Sequence, residues 1–164
     1  MKRICLLIIS LCLVVSGCSK KETKWPKAYN EEASITEKLP FNPLEWRVVT
    51  SSLNRQESTM ATLYGNDLAV RHARTDPQQP YPQGSTLSLV TWLQQDDEHW
   101  FGGRIPGQIK SIEFVTVDTD ANQAPSYLYE SYEGASLKKL PADEASIINA
   151  RIQYILNQRA SVMP

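Results

Sequence analysis

The chain has 164 residues, with 17 lysines and arginines against 18 aspartates and glutamates and a formal net charge of −1. A balance this even gives no electrostatic reason to expect nucleic acid or an anionic membrane face as a partner, and nucleic acid is set aside on that ground. The length fits one domain of ordinary size with a normal hydrophobic core.

In chain order, the first residues read as a leader. Met1-Lys2-Arg3 is a positive start, residues 4–15 are an apolar run, and Val15-Ser16-Gly17-Cys18 is a small-residue cleavage site that ends on cysteine. The run falls short of the about 20 residues a spanning helix needs, and the whole matches a bacterial lipoprotein signal. Residues 1–17 are therefore expected to be a signal peptide and Cys18 the lipidated N-terminus, so that the membrane is a partner through that lipid. Taking 17 residues from 164 leaves 147, and losing Lys2 and Arg3 leaves 15 basic against 18 acidic side chains, a balance of −3. Cys5 and Cys12 depart with the leader, so no internal disulfide can form. Residues 18–24 are polar and read as a tether, and residues 25–164 as the domain, marked at its start by Trp25 and Tyr29. Serine after the lipidated cysteine resembles the outer-membrane class of lipoproteins. The expected location is the cell envelope, anchored at the outer membrane and facing the periplasm.

Within the domain, residues 30–38 are expected to be weakly helical, with Asn30 as cap and Glu31 and Glu32 at the positive end. Residues 45–53 alternate Trp46, Val48 and Thr50 against Arg47, Val49 and Ser51, as a strand does. The runs 60–64 and 68–73 flank Gly65-Asn66-Asp67 and are expected to pair as a hairpin. A proline-rich connection leads into residues 86–94, where Leu87, Leu89, Thr91 and Leu93 alternate with Ser88, Val90, Trp92 and Gln94. Residues 110–118 give the clearest strand, 118–125 a loop, and 127–132 a late aromatic strand. Residues 141–160 predict a helix, with Pro141 in its first turn, Asp143 and Glu144 at its positive end, and Ile148, Ile152, Ile155 and Leu156 on one face. The fold class is α+β: a mainly antiparallel β-sheet with flanking helices and a C-terminal helix.

Chemistry-bearing motifs are few. Asp96-Asp97-Glu98-His99 offers four ligand atoms in a row, but adjacent residues of an extended chain point to opposite sides, so a solvated tip is expected and no metal site. Asp118-Thr119-Asp120-Ala121-Asn122 opens like a calcium loop, yet Gln123 stands where the turn needs glycine and Tyr129 where the bidentate acid belongs. His72, between Arg71 and Arg74 in a strand-like run, is an exposed strand residue, a hydrogen-bonded one or a cofactor ligand. There is no nucleophile elbow and no phosphate-binding glycine pattern. Gly102-Gly103 points to a tight bend or a close backbone approach.

The stretches Leu63-Tyr64-Gly65-Asn66-Asp67-Leu68-Ala69, Tyr81-Pro82-x-Gly84-Ser85-x-Leu87, Val90-Thr91-Trp92 and Trp100-Phe101-Gly102 together resemble the cytochrome P-460-like domain family over residues 46–117. The resemblance implies a compact, mainly antiparallel sheet with flanking helices, often a homodimer. It also implies haem attached through CxxCH near the C-terminus, with an axial histidine and a lysine cross-link, and chemistry on hydroxylamine or nitric oxide. This chain departs from that pattern, with no cysteine after Cys18, no histidine after His99 and no lysine between Lys38 and Lys110. Covalent haem is therefore excluded, and His72 or His99 is left as the candidate ligand of a non-covalent haem or metal.

Two functions follow as expectations. The first is a lipid-anchored module that binds an envelope protein or small ligand without turnover, through Trp92, Trp100, Phe101 and Arg104, residues that core packing would explain equally well. The second is a redox enzyme or sensor with non-covalent haem or a metal on His72 or His99.

Overall fold

A computed structural model describes residues 30–121, 124–141 and 144–161. The leader, Cys18, the tether, Trp25 and Tyr29 lie outside the described residues.

Five strands of useful length and one short one make a single antiparallel sheet whose spatial order is the chain order. They are β1 (Arg47–Asn54), β2 (Thr59–Gly65), β3 (Thr86–Asp96), β4 (Arg104–Thr119), β5 (Pro125–Glu133) and β6 (Lys138–Lys139). Helix α1 (Asp67–Thr75) joins β2 to β3, and helix α2 (Ala145–Leu156) follows β6. The α+β, sheet-dominated architecture expected from the alternating runs is the one observed.

The alternation of β3 and β4 is buried on both sides. Leu87, Leu89 and Val115 face the helices and pack with Ala69, Val70 and Ala73 of α1 and with Ile152 and Ile155 of α2. Each aliphatic side chain so buried contributes about 1.5–3 kcal/mol. Val90, Trp92, Ile112 and Phe114 face the other way, under residues 30–46, whose Ala33, Ile35, Leu39 and Trp46 cover them. This N-terminal strap is irregular rather than helical. Asn30 Oδ1 accepts from the amides of Glu32 and Ala33 and so caps a single turn, while its Nδ2 donates to the Pro106 carbonyl at 2.5 Å. The Trp92 indole N–H donates to the Ala33 carbonyl at 3.0 Å. Further along, a 3-10 turn at Pro43–Glu45 is capped by Asn42, and Trp46 meets the Phe114 ring edge-on. Pro40 and Pro43 keep a longer helix from running through the strap.

The expected hairpin across residues 60–73 is corrected. Residues 68–73 are helical, within α1, and Asn66 is its N-cap, with φ −63° and Oδ1 accepting from the Ala69 amide at 2.9 Å. Asp67 favours the helix N-terminus. Gly65 serves close packing rather than a turn, since a Cβ there would lie 3.1 Å from Ala69 Cβ and 3.2 Å from Val70 Cγ2. The second helix is also shorter than expected, because the Leu140 amide is bound to the Ser131 carbonyl and Glu144 takes the N-cap. Pro141 therefore precedes the helix, and Asp143 lies outside the described residues.

After α2 the tail returns to the outer edge of the sheet. The Ser161 amide donates to the Val49 carbonyl at 2.9 Å, Ser161 and Thr50 share a hydroxyl bond of 2.8 Å, and the β1–β2 register shifts between Val48 and Thr50.

Candidate functional site

The two histidines end at opposite ends of the sheet. His72 belongs to α1, at the Leu87 end of β3, with Nε2 2.8 Å from the Gln79 carbonyl oxygen and its ring 4.8 Å from that of Tyr81. His99 follows the Asp96 end of β3, where its amide donates to Asp97 Oδ1 and its Nδ1 lies 3.5 Å from the same oxygen. The eleven residues of β3 lie between them, roughly 35 Å at about 3.3 Å per residue. They cannot act on one ligand.

The four residues expected to form an aromatic rim also divide. Trp92 is 5% exposed in the core beneath the strap, so its place in a binding surface is corrected to a packing role. Trp100 is 74% exposed and Phe101 fully exposed. They sit at the apex of the β3–β4 hairpin, in a turn closed by the Gly103 amide on the Trp100 carbonyl at 2.8 Å and allowed by Gly102 at φ +77°. Arg104 stands at the base of that turn, paired with Asp96 at 3.0 Å. Among the described residues no three His, Cys, Asp or Glu side chains converge as metal ligands. Asp118 lies in β4, paired with Ser126 of β5, and Asp120 begins the β4–β5 turn, where its Oδ1 accepts from the Ala124 amide.

One group that the sequence reading passed over is Glu113. It is 4% exposed, in the middle of β4 on the helix side. Its Oε1 accepts from Arg151 Nε at 2.8 Å and from the Tyr129 hydroxyl at 2.5 Å, and its Oε2 accepts from Arg151 Nη2 at 2.5 Å. The carboxylate holds the Arg151 guanidinium above its ordinary range. Burial first, and then Glu113, push the Tyr129 phenol up to about 12. A hollow of about 300 Å³ opens beside this cluster, walled also by Thr91, Lys110 and Ser131. Three donors hold the carboxylate from a strand and a helix, so Glu113 serves as a tie between sheet and helix. The signal in the sequence was one acid inside the run Ile112-Glu113-Phe114-Val115, matched by one arginine beside the apolar face of α2.

The family model described as Cytochrome P460 matches residues 44–147, from the 3-10 turn into the first turn of α2. The match covers more than half of the chain, and the chain belongs to the Cytochrome P460 family, a haem-binding family. No curated protein matches it. Among the described residues neither histidine is placed to hold a haem. Thioether attachment has no cysteine after Cys18 to use. A porphyrin held without a covalent link needs an imidazole facing an apolar slot. His72 is turned to Gln79 and Tyr81 and His99 to Asp97, and neither lines the hollows at Leu137, Gln153, Glu113 or Leu39.

Arg151→Ala strands a buried charge and is expected to cost about 3 kcal/mol, the low end for a broken buried pair because Arg151 is partly wetted. The urea midpoint should fall with the slope unchanged, and Glu113→Gln combined with Arg151→Met should recover most of the loss. Tyr129→Phe tests the pH linkage. The folded phenol value of about 12 exceeds the ordinary 10.0, so its stabilisation is complete below pH 10 and is lost as pH rises through 12. The wild type should therefore exceed Tyr129→Phe in urea midpoint at pH 8, and the gap should close as the pH approaches 12.

Proposed function

We propose that this is a lipid-anchored cell-envelope binding module, a Cytochrome P460 sheet without bound haem. It is held at the membrane through Cys18, and it captures an envelope protein without turnover. The observation that carries this reading is the presentation of Trp100 and Phe101 side by side on a fixed turn at the far end of the longest hairpin. Adjacent large aromatics left in water on a rigid support suit insertion into a partner's pocket, where aromatic anchors supply most of the binding energy. The flanking Asp96, Asp97 and Glu98 favour a protein over an anionic lipid surface, which they repel. The lipoprotein pattern at residues 1–18 supports the envelope location, and the loss of the family's cysteines and late histidine supports a module free of haem chemistry.

A photo-crosslinker placed at position 101 in intact cells should yield one discrete protein adduct that Trp100→Ala abolishes. The fold should be unaffected, since exposed positions change stability by less than about 0.5 kcal/mol. Adducts to lipid alone, or a protein adduct indifferent to Trp100→Ala, would overturn the tip as the docking surface. Protein purified from haem-replete cells should show no Soret band; a stoichiometric band that disappears in His72→Ala or His99→Ala would overturn the haem-free reading.

A further inference from the structure

We infer that the hollow between the α1–β3 loop and the C-terminal end of α2 binds a neutral saccharide. It measures about 410 Å³, within the roughly 300–1,000 Å³ of small-ligand sites, and lies at the end of the sheet opposite the Trp100 tip. One wall is the loop carrying Gln78, Gln79 and Tyr81, and the other is the end of α2 with Gln153 and Asn157. Tyr127 of β5 closes the side.

The chemistry of the lining selects the ligand. The carboxamides of Gln78, Gln79, Gln153 and Asn157 make no hydrogen bond to other described residues, whereas that of Gln158 donates to the Tyr154 carbonyl at 3.2 Å. Each free carboxamide sets a pair of N–H donors beside a carbonyl acceptor. Vicinal sugar hydroxyls, which both donate and accept, match that arrangement, and tyrosine rings suit the apolar C–H faces of a pyranose. Among the described residues no carboxylate lines the hollow, which removes the attraction for a cation, and Arg159 is the one charged side chain there, short of the basic cluster that holds a phosphate.

The loop wall is also fixed before any ligand arrives. The Gln79 carbonyl is held by His72 Nε2 at 2.8 Å, the Gln79 amide donates to the Asp76 carbonyl at 3.0 Å, and Tyr81 packs against the helix-side core. His72 is thus a positioning residue for this wall. Such pre-ordering lowers the entropy cost of binding.

The test is a titration of the full-length protein with maltotriose, chitotriose and inorganic phosphate in turn, read by the side-chain amide and tyrosine resonances. Saturable shifts confined to Gln78, Gln79, Gln153, Asn157, Tyr81 and Tyr127 are expected with one of the trisaccharides, and the better one tells plain hydroxyl from N-acetyl recognition. Gln153→Ala with Asn157→Ala alters two exposed helix-end positions and should weaken that binding about tenfold or more. The proposal is overturned by silence with both sugars, by shifts that the double substitution leaves unchanged, or by a response to phosphate at Arg159 without one to sugar.

Discussion

Glu113 carries a negative charge into the interior of a six-stranded sheet, where β4, its neighbour β5 and α2 meet. An isolated carboxylate there would be expelled or neutralised, because the desolvation of an ion costs more than any single side-chain contact returns. Arg151 reaches it with two nitrogens from α2, and Tyr129 adds a third donor from β5. The result fixes the register and roll of α2 on the sheet, which apolar contacts through Ile152 and Ile155 alone would define only loosely. Residues 157–161 inherit their position from that fixed roll. Both the amide-lined wall at Gln153 and Asn157 and the tail that returns to β1 depend on it.

The two central strands, β3 and β4, are covered on both faces. Helices cover one side and the strap covers the other, with aromatic rings of Trp46, Phe114 and Tyr132 filling the second layer. In a haem-binding family this matters, since a porphyrin must be accommodated against some apolar surface. Among the described residues the apolar faces of β3 and β4 are covered by the chain itself, and the two ends of the sheet differ in character. One end is aromatic and protruding, the other polar and concave.

Strands were legible because period-two alternation survives in sequence. β1, β3 and β5 lie where the runs 45–53, 86–94 and 127–132 placed them, and β4 extends the run 110–118 back to Arg104. Residues 68–73 were misread because nine helical residues span too few turns to impose their period, and Asn66-Asp67 serves a helix cap as readily as a hairpin turn. Trp92 stood open between binding surface and core because the strap that buries it has an irregular backbone, and nothing local in residues 30–46 announces what it covers. The tip was legible in part, from Trp100-Phe101 beside the Gly102-Gly103 bend, with core packing an equal reading of the aromatics until their exposure was seen. The amide-lined hollow was not, because its walls lie more than seventy residues apart and only the closed fold brings them together.

The return of the tail to β1 has a consequence for how the protein behaves among its neighbours. A strand at the border of a sheet offers amides and carbonyls to any extended segment that passes, and uncontrolled strand addition is the usual beginning of aggregation. In β1 the bulge at Val49 breaks the ladder's regularity, Ser161 occupies the carbonyl, and Arg74 lies 3.5 Å from the carbonyl of Val48. An incoming strand must displace the tail and straighten the bulge before it can zip along this border. The last residues of α2's extension therefore act as a guard rail against self-association, and their hold on β1 traces back through α2 to the ion pair on Glu113.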